Sequence, residues 1–189
     1  KAQGYYTGDN PVELAQMALP KISQIDSHHA ALPFTELPAL IEQLEGSSLM
    51  PSTRLALTYL ILAASRQSEV LLASWDEIDI DKRQWIIPAA RMKAGSEHIV
   101  PLNDRTMAVF NEAKELYPDS QLLFPNHNTG KPLSDNALRL ALQKRFNLNT
   151  TTHGLRSSFK DWATETTNHA NEVSEMALAH KISNAVEAA

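Results

Sequence analysis

His153 and Arg156, in His153–Gly154–Leu155–Arg156, stand three residues apart. On a helix that spacing puts both side chains on one face. A proton-transfer group then lies beside a fixed cation, an arrangement suited to a phosphate. Read in isolation, the same pair is more often a helix-capping histidine and a surface arginine. Arg66 closes the very apolar stretch Leu55–Ala64, and Glu69 follows three residues later. A guanidinium emerging from a buried helix must be paired or must point into a polar cavity. An Arg66–Glu69 ion pair capping the helix meets that need as well as a functional site does. Lys93 opens the flexible Lys93–Ala94–Gly95–Ser96 between two expected strands, where a lysine is ordinarily a solvated charge. His180 ends the apolar turn Met176–Ala177–Leu178–Ala179, and a helix C-terminus favours its protonated form.

The elements that must position these residues are mostly helical. Thr35 is expected to cap a helix with a stripe of Leu37, Leu40, Ile41 and Leu44, ended by Gly46. Ser52 or Thr53 caps a second helix to about Ala64, apolar on most sides as a central helix is. Ser68 to Ser74 adds a turn or two. The period then switches to two. Glu77–Asp81, Gln84–Pro88 and His98–Leu102 read as three strands of a small antiparallel sheet. Helices return over Asp104–Leu116 with Asn103 as cap, over Asp135–Phe146 with Ser134 as cap, over about His153–Glu165 with Thr152 before it, and through Ala179 with Asn171 as cap. Leu155, Phe159 and Trp162 are the apolar anchors of the helix that carries His153 and Arg156. Before Pro33, a short helix from Asn10–Pro11 to Met17 and a linker around Ile25–His29 are expected. The fold class is mainly α with one small three-stranded antiparallel β-sheet.

Composition narrows the function. The 189 residues and 21.0 kDa suit one ordinary domain with a tail or linker, and 43% hydrophobic with 21% charged residues lies in the globular range. Seventeen Lys and Arg against 22 Asp and Glu give −5 and a pI near 5.8. Bulk charge therefore argues against non-specific nucleic-acid binding, although a local cluster can still grip phosphate on an acidic body. The absence of cysteine excludes disulfides, thiolate zinc sites and a cysteine nucleophile. The longest nearly apolar run, interrupted by Thr58, is far short of the ~20 residues a membrane helix needs, and the polar start has no signal-peptide core. A soluble protein, or a soluble piece of one, is expected. His28, His29, His98, His127 and His169 show neither H-x-x-x-H spacing nor clustered carboxylates, which disfavours a metal-dependent hydrolase.

In order, Arg66, Lys93, His153 with Arg156, and His180 resemble the active-site set of the tyrosine recombinases, the phage-integrase family. The surrounding residues resemble it too. Ala64–Ser65–Arg66–Gln67–Ser68–Glu69–Val70 is similar to the first arginine motif, and Arg91–Met92–Lys93 followed by His98–Ile99–Val100–Pro101–Leu102 to the lysine hairpin. His153–Gly154–Leu155–Arg156 and Leu178–Ala179–His180–Lys181 are similar to the second and third boxes. Trp75–Asp76–Glu77–Ile78–Asp79 and Asp161–Trp162–Ala163 resemble prophage and genomic-island integrases in particular. The likeness runs from about His28 to the end. One departure stands out: the family nucleophile is a tyrosine shortly after the third-box histidine, and Tyr5, Tyr6, Tyr59 and Tyr117 all precede His180.

The resemblance implies the tyrosine-recombinase catalytic-domain fold and site-specific DNA strand exchange without metal or nucleotide cofactor. A tyrosine attacks a phosphodiester to give a 3′-phosphotyrosyl link and a free 5′-hydroxyl, and a partner strand's 5′-hydroxyl reverses the step. On that basis Arg66 and Arg156 clamp the phosphate, Lys93 protonates the leaving 5′-oxygen, His153 is general base or proton store, and His180 is a further phosphate donor. Glu69 holds Arg66 or a histidine in place. The expected division is a linker over 1–32 and a catalytic domain over 33–189, with the nucleophilic tyrosine just after Ala189 in a longer parent. Partners implied are double-stranded DNA attachment sites and, for the full-length protein, a homotetramer on DNA. The 189-residue piece itself is expected to be monomeric. The implied setting is the cytoplasm, bacterial or phage-encoded, with no membrane. The runner-up is a non-catalytic DNA-binding or regulatory relative that lacks the nucleophile. A type IB topoisomerase shares the chemistry, but the local motifs match integrases better.

Overall fold

A computed structural model describes residues 30–180; the expected N-terminal helix and the linker around Ile25–His29 lie outside them, as does the tail after His180. The elements in order are α1 (Leu37–Glu45), α2 (Pro51–Ala63), α3 (Gln67–Leu71), β1 (Ile78–Asp79), β2 (Gln84–Ile87), β3 (His98–Pro101), α4 (Asp104–Leu116), α5 (Ala137–Leu140), α6 (Thr152–Thr166) and α7 (Asn171–Ala177). The mainly α architecture with one three-stranded antiparallel sheet is as the sequence predicts.

Helix α2 is the spine. Leu55, Ala56, Leu57, Tyr59 and Leu60 are all buried, so its apolar residues point in several directions, and α1, α3, α4, α5 and α6 pack around it. Each fully buried leucine there contributes about 1.5–3 kcal/mol. Tyr59 anchors an aromatic cluster, with ring centroids 5.4 Å from Trp85, 4.8 Å from Phe110 and 5.9 Å from Phe124. Those contacts join the spine to the sheet and to α4.

The sheet order is β1-β2-β3, in register Ile78↔Trp85 and Ile87↔His98. The middle strand carries the inward residues Trp85 and Ile87. The first strand is shorter than the alternation of Glu77–Asp81 predicts. Trp75–Glu77 forms a 3-10 turn, because Glu77 folds back to accept from the Ser74 amide at 3.4 Å and from Trp85 Nε1 at 2.9 Å.

Helix starts differ from expectation where a proline or a nearby polar group wins. Thr35 sits inside a 3-10 turn, Phe34–Glu36, and α1 opens with proline in its first turn. Helix α2 likewise starts at Pro51, whose missing N–H costs nothing there. Ser52, no longer a cap, is buried and bonds to the Pro125 carbonyl and to the Tyr117 hydroxyl, the latter at 2.8 Å. Asn103 caps α4 as expected, accepting from Thr106 N at 3.0 Å. Thr151 rather than Thr152 caps α6, accepting from Gly154 N at 3.0 Å. Ala170 occupies the cap position of α7, and Asn171 instead takes a bond from Lys160. Ser134 caps nothing. Helix α5 is one turn long and continues as a π-helical turn, Ala141–Arg145, closed by Phe146 N to Ala141 O at 3.2 Å. That wider turn lets the adjacent Ala141 and Leu142 both stay buried.

Candidate active site

The site forms where α2 hands over to α3. Ala64 ends α2 in the left-handed region, φ 47°, turning the chain so that Arg66 becomes the N-cap of α3. Glu69 closes that turn as a capping box, accepting from the Arg66 amide at 2.8 Å and from Arg66 Nη1 at 2.8 Å. The ion pair the sequence predicts is therefore present. Glu69 is only 3% exposed while Arg66 is 25% exposed, so the carboxylate anchors and the guanidinium faces outward.

Arg156, on the face of α6 that points at this turn, is 5% exposed. Its Nη1 donates to the Ala64 carbonyl, and its Nη2 to the Leu178 carbonyl at 2.7 Å. These two oxygens belong to the C-caps of α2 and α7, the negative ends of two helix dipoles. Arg66 Nη2 reaches the neighbouring Ala179 carbonyl at 3.2 Å. Both guanidiniums thus seize the same turn after α7, which the left-handed Ala179 (φ 51°) holds open. Burial, then the Arg66 charge, pushes Arg156 down to about 10, with Glu69 opposing; it is still a cation at neutral pH. Each guanidinium has five N–H donors, so two carbonyl or carboxylate contacts leave three for an incoming anion.

His180 follows Ala179. Its Nδ1 lies 2.6 Å from Glu175 Oε2, and it lines a cavity of about 300 Å³ with Met92, Ala94 and His98. Hydrogen bonds from Lys160 and then His180 hold the Glu175 carboxyl below its usual range. Lys93, between Met92 and Ala94, is exposed at the hairpin turn and has no ion pair or hydrogen bond among the described residues. His153 is exposed in the first turn of α6, one turn before Arg156. The structure brings Arg66, Glu69, Arg156 and the His180 turn together; Lys93 and His153 stand at the border. Trp162 is not the buried anchor expected. It is 44% exposed, whereas Leu155 is buried.

His98 is the residue sequence reading missed as part of this site. It starts β3, shares the inward face with the buried Val100, and interacts with Glu69, Arg66, Arg156 and the Ala177 backbone. The alternation of β3 carried that signal: His98 and Val100 are two apart, opposite to the exposed Ile99. Burial lowers His98 below the usual histidine range, with Glu69 opposing and the two arginines reinforcing. The folded protein therefore binds fewer protons than the unfolded chain below pH ~6.5, so stability falls as pH drops through that value. His98→Gln should flatten the fall in melting temperature between about pH 6.5 and 5. Identical slopes in the two proteins would show that His98 contributes nothing to it.

Among the described residues, no group of three His, Asp or Glu side chains is placed to hold a metal ion, and no helix is long and apolar enough to cross a membrane.

Fold and site together define a mainly helical domain in which two arginines, a buried glutamate and histidines converge at one helix junction. Residues 31–188 match the phage integrase family, and the chain belongs to that family. It is 32% identical over 204 residues to the integrase of Enterobacteria phage P4, covering 99% of this chain and 46% of that protein. It is 35% identical over 157 residues to the prophage integrase IntA of Escherichia coli K12, covering 82% of this chain and 38% of the other. The chain thus spans less than half the length of these relatives. Among solved structures, a lambda integrase dimer bound to a COC′ core site superposes with a TM-score of 0.67 at 19% identity, over 96% of this chain and 66% of that one. The XerH recombinase in a pre-cleavage complex with its difH substrate also gives 0.67 at 19%, over 81% and 47%. The fold is that of tyrosine-recombinase catalytic domains.

Proposed function

We propose that this chain is the catalytic part of a site-specific recombinase that cuts and rejoins duplex DNA at attachment sites, through a 3′-phosphotyrosyl intermediate, to integrate or excise a mobile element. The observation that carries this reading is the convergence of Arg66 and Arg156 on one turn, each with N–H donors to spare, in a member of the phage integrase family. The pentavalent phosphoryl transition state concentrates negative charge on its non-bridging oxygens, and fixed donors aimed there lower the barrier. Arg66 and Arg156 clamp those oxygens, and bidentate geometry suits guanidinium where it does not suit an ammonium. Glu69 and the helix-end carbonyls hold the clamp in shape before DNA arrives.

In the forward step the tyrosine oxygen forms its bond to phosphorus as the bond to the 5′-oxygen breaks. His153 accepts or stores the tyrosine proton, Lys93 gives a proton to the leaving oxygen, and His180 donates to the phosphate. Tyr59 is buried in the aromatic core and the Tyr117 hydroxyl is bonded to Ser52, so the attacking tyrosine in this reading lies outside the described residues. Energy stays in the covalent bond, so no nucleotide is consumed. Residues 33–189 form the catalytic unit. The full-length protein works as a homotetramer on DNA in the cytoplasm, and the isolated chain is a monomer.

The role of Lys93 has a separable test. In the full-length protein, Lys93→Ala should slow single-turnover cleavage by about 10²–10⁴-fold. It should recover most of that rate when sulfur replaces the 5′-bridging oxygen, because a thiolate leaves without a proton. An unrescued defect would assign Lys93 to binding instead.

A further inference from the structure

Arg91 is a partly buried charge that stands outside the clamp. It ends the 3-10 turn Ala89–Arg91, two residues before Lys93, and is 19% exposed. Its Nη1 donates to both carboxylate oxygens of Glu77. Its Nη2 donates to the backbone carbonyl of Glu69 at 2.6 Å. Glu77 is itself fixed by Trp85 Nε1 at 2.9 Å and by the Ser74 amide at 3.4 Å, so the Arg91–Glu77 pair is rooted in the sheet. The other contact goes to the residue whose side chain grips Arg66. One guanidinium therefore spans the sheet, the root of the lysine hairpin and the helix that presents the first arginine.

The hairpin beyond that root is otherwise loosely tied. Among the described residues, no side chain from Lys93 to Glu97 makes a hydrogen bond or an ion pair, and Gly95 turns the chain at φ 70°. Met92, buried at 6% exposure, and Arg91 are the last side chains that fasten it. A lysine on a flexible four-carbon stem reaches a given atom only as well as its Cα is placed, and an error of about 1 Å can cost on the order of a hundredfold in rate.

We propose that Arg91 is a positioning residue for Lys93: by tying the hairpin root to the Glu69 carbonyl, it sets the Lys93 ammonium at the bridging oxygen of the same phosphate that Arg66 holds. This rests on the reading of Lys93 as the acid that protonates the leaving 5′-oxygen. The step it serves balances: the tyrosine oxygen–phosphorus bond forms as its proton passes to His153, the phosphorus–O5′ bond breaks, and one Lys93 N–H gives its proton to O5′. Arg91 touches neither substrate nor the reacting atoms. A purely structural Arg91–Glu77 pair would slow every substrate alike, and that distinguishes the two roles.

The experiment uses the full-length protein and nicked attachment-site DNA with either oxygen or sulfur at the 5′-bridging position, following covalent adduct in a single turnover. Arg91→Lys keeps a cation for Glu77 but cannot fork to Glu69 as well. It should slow cleavage of the oxygen substrate by about tenfold to a hundredfold and leave the sulfur substrate within about threefold of wild type. Arg91→Lys combined with Lys93→Ala should be no slower on oxygen than Lys93→Ala alone. Arg91→Gln, a neutral side chain that retains a single donor group, repeats the comparison should the lysine variant be poorly folded, and thermal melting of each protein reports that directly. Equal slowing on both substrates, or a double variant slower than Lys93→Ala, would overturn the proposal while the Lys93 reading stands. Failure of sulfur to rescue Lys93→Ala itself would overturn the Lys93 reading and the proposal with it.

Discussion

Replacing Arg156 by alanine is expected to lower single-turnover strand cleavage by the full-length protein by at least about 10²–10³-fold, the usual cost of losing one preorganised donor to a developing oxyanion. Arg66→Ala should do the same. Most DNA affinity should survive both changes, because affinity for duplex DNA comes from many phosphate contacts and this clamp serves one phosphate. The two variants should nevertheless differ in stability. Arg156 is buried and satisfies two helix-end carbonyls, Ala64 O and Leu178 O. Removing it strands both, at about 1–3 kcal/mol each. Arg66 is a quarter exposed and its carbonyl contact is longer, 3.2 Å, so its loss should lower the melting temperature far less. Arg156→Lys keeps the charge but cannot bridge two carbonyls, so it should regain more stability than rate. Cleavage at the wild-type rate by both alanine variants would defeat the clamp.

Gly154→Ala should destabilise the fold by about 1–3 kcal/mol. The sign is the informative part. Glycine to alanine inside an ordinary exposed helix stabilises by about 1 kcal/mol, and Gly154 lies in the first turn of the fifteen-residue α6. Here a Cβ would meet the Ala30 carbonyl oxygen at 2.3 Å and Thr150 Oγ1 at 2.9 Å. The nearer contact is backbone, and the Thr150 hydroxyl is itself tied to that same Ala30 carbonyl, so nothing flexible can give way. Either α6 tilts, or the stretch over residues 30–32 is pushed off. The latter would break the bond from Thr150 Oγ1 to Ala30 O at 2.7 Å and take the Leu32 carbonyl away from the Ser158 hydroxyl, leaving that hydroxyl only the Gly154 carbonyl at 3.1 Å. Both His153 and Arg156 ride on that helix, so cleavage should fall together with stability. Urea unfolding of the two proteins decides it, and an unchanged or raised midpoint would mean that residues 30–32 do not cross α6 as described.

The helix and strand pattern was largely legible because it rests on local periodicity. The spine α2, the sheet and α4 with its Asn103 cap follow from apolar spacing and one side-chain acceptor. Four expected caps were misplaced, Thr35, Ser52 or Thr53, Ser134 and Asn171, the first two and the last for a nonlocal or proline-driven reason. Ser52 is claimed by Pro125, 73 residues away, and Asn171 by Lys160. At the site, the Arg66–Glu69 pair was readable from its spacing of three. What could not be read is that Arg156 spends two donors on the ends of α2 and α7, since a backbone carbonyl leaves no mark in sequence. The same holds for the bond from Arg91 to the Glu69 carbonyl. His98 was within reach of the alternation of β3, had its inward face been set beside the charges it meets.

In the proposed function, the Arg66–Arg156 clamp catalyses strand transfer whatever supplies the tyrosine. The most direct measurement bypasses that nucleophile. A nicked attachment-site duplex is prepared with its 3′ end esterified as p-nitrophenyl phosphate, facing a strand with a 5′-hydroxyl. Attack by the hydroxyl forms the phosphodiester and expels p-nitrophenolate, which is followed by absorbance, while the joined strand is followed on a denaturing gel. Protein-dependent release and joining are expected in step, and both should be lost in Arg66→Ala and Arg156→Ala. Release no faster than without protein, at concentrations where the chain is shown to be bound to the duplex, would contradict this role of the clamp.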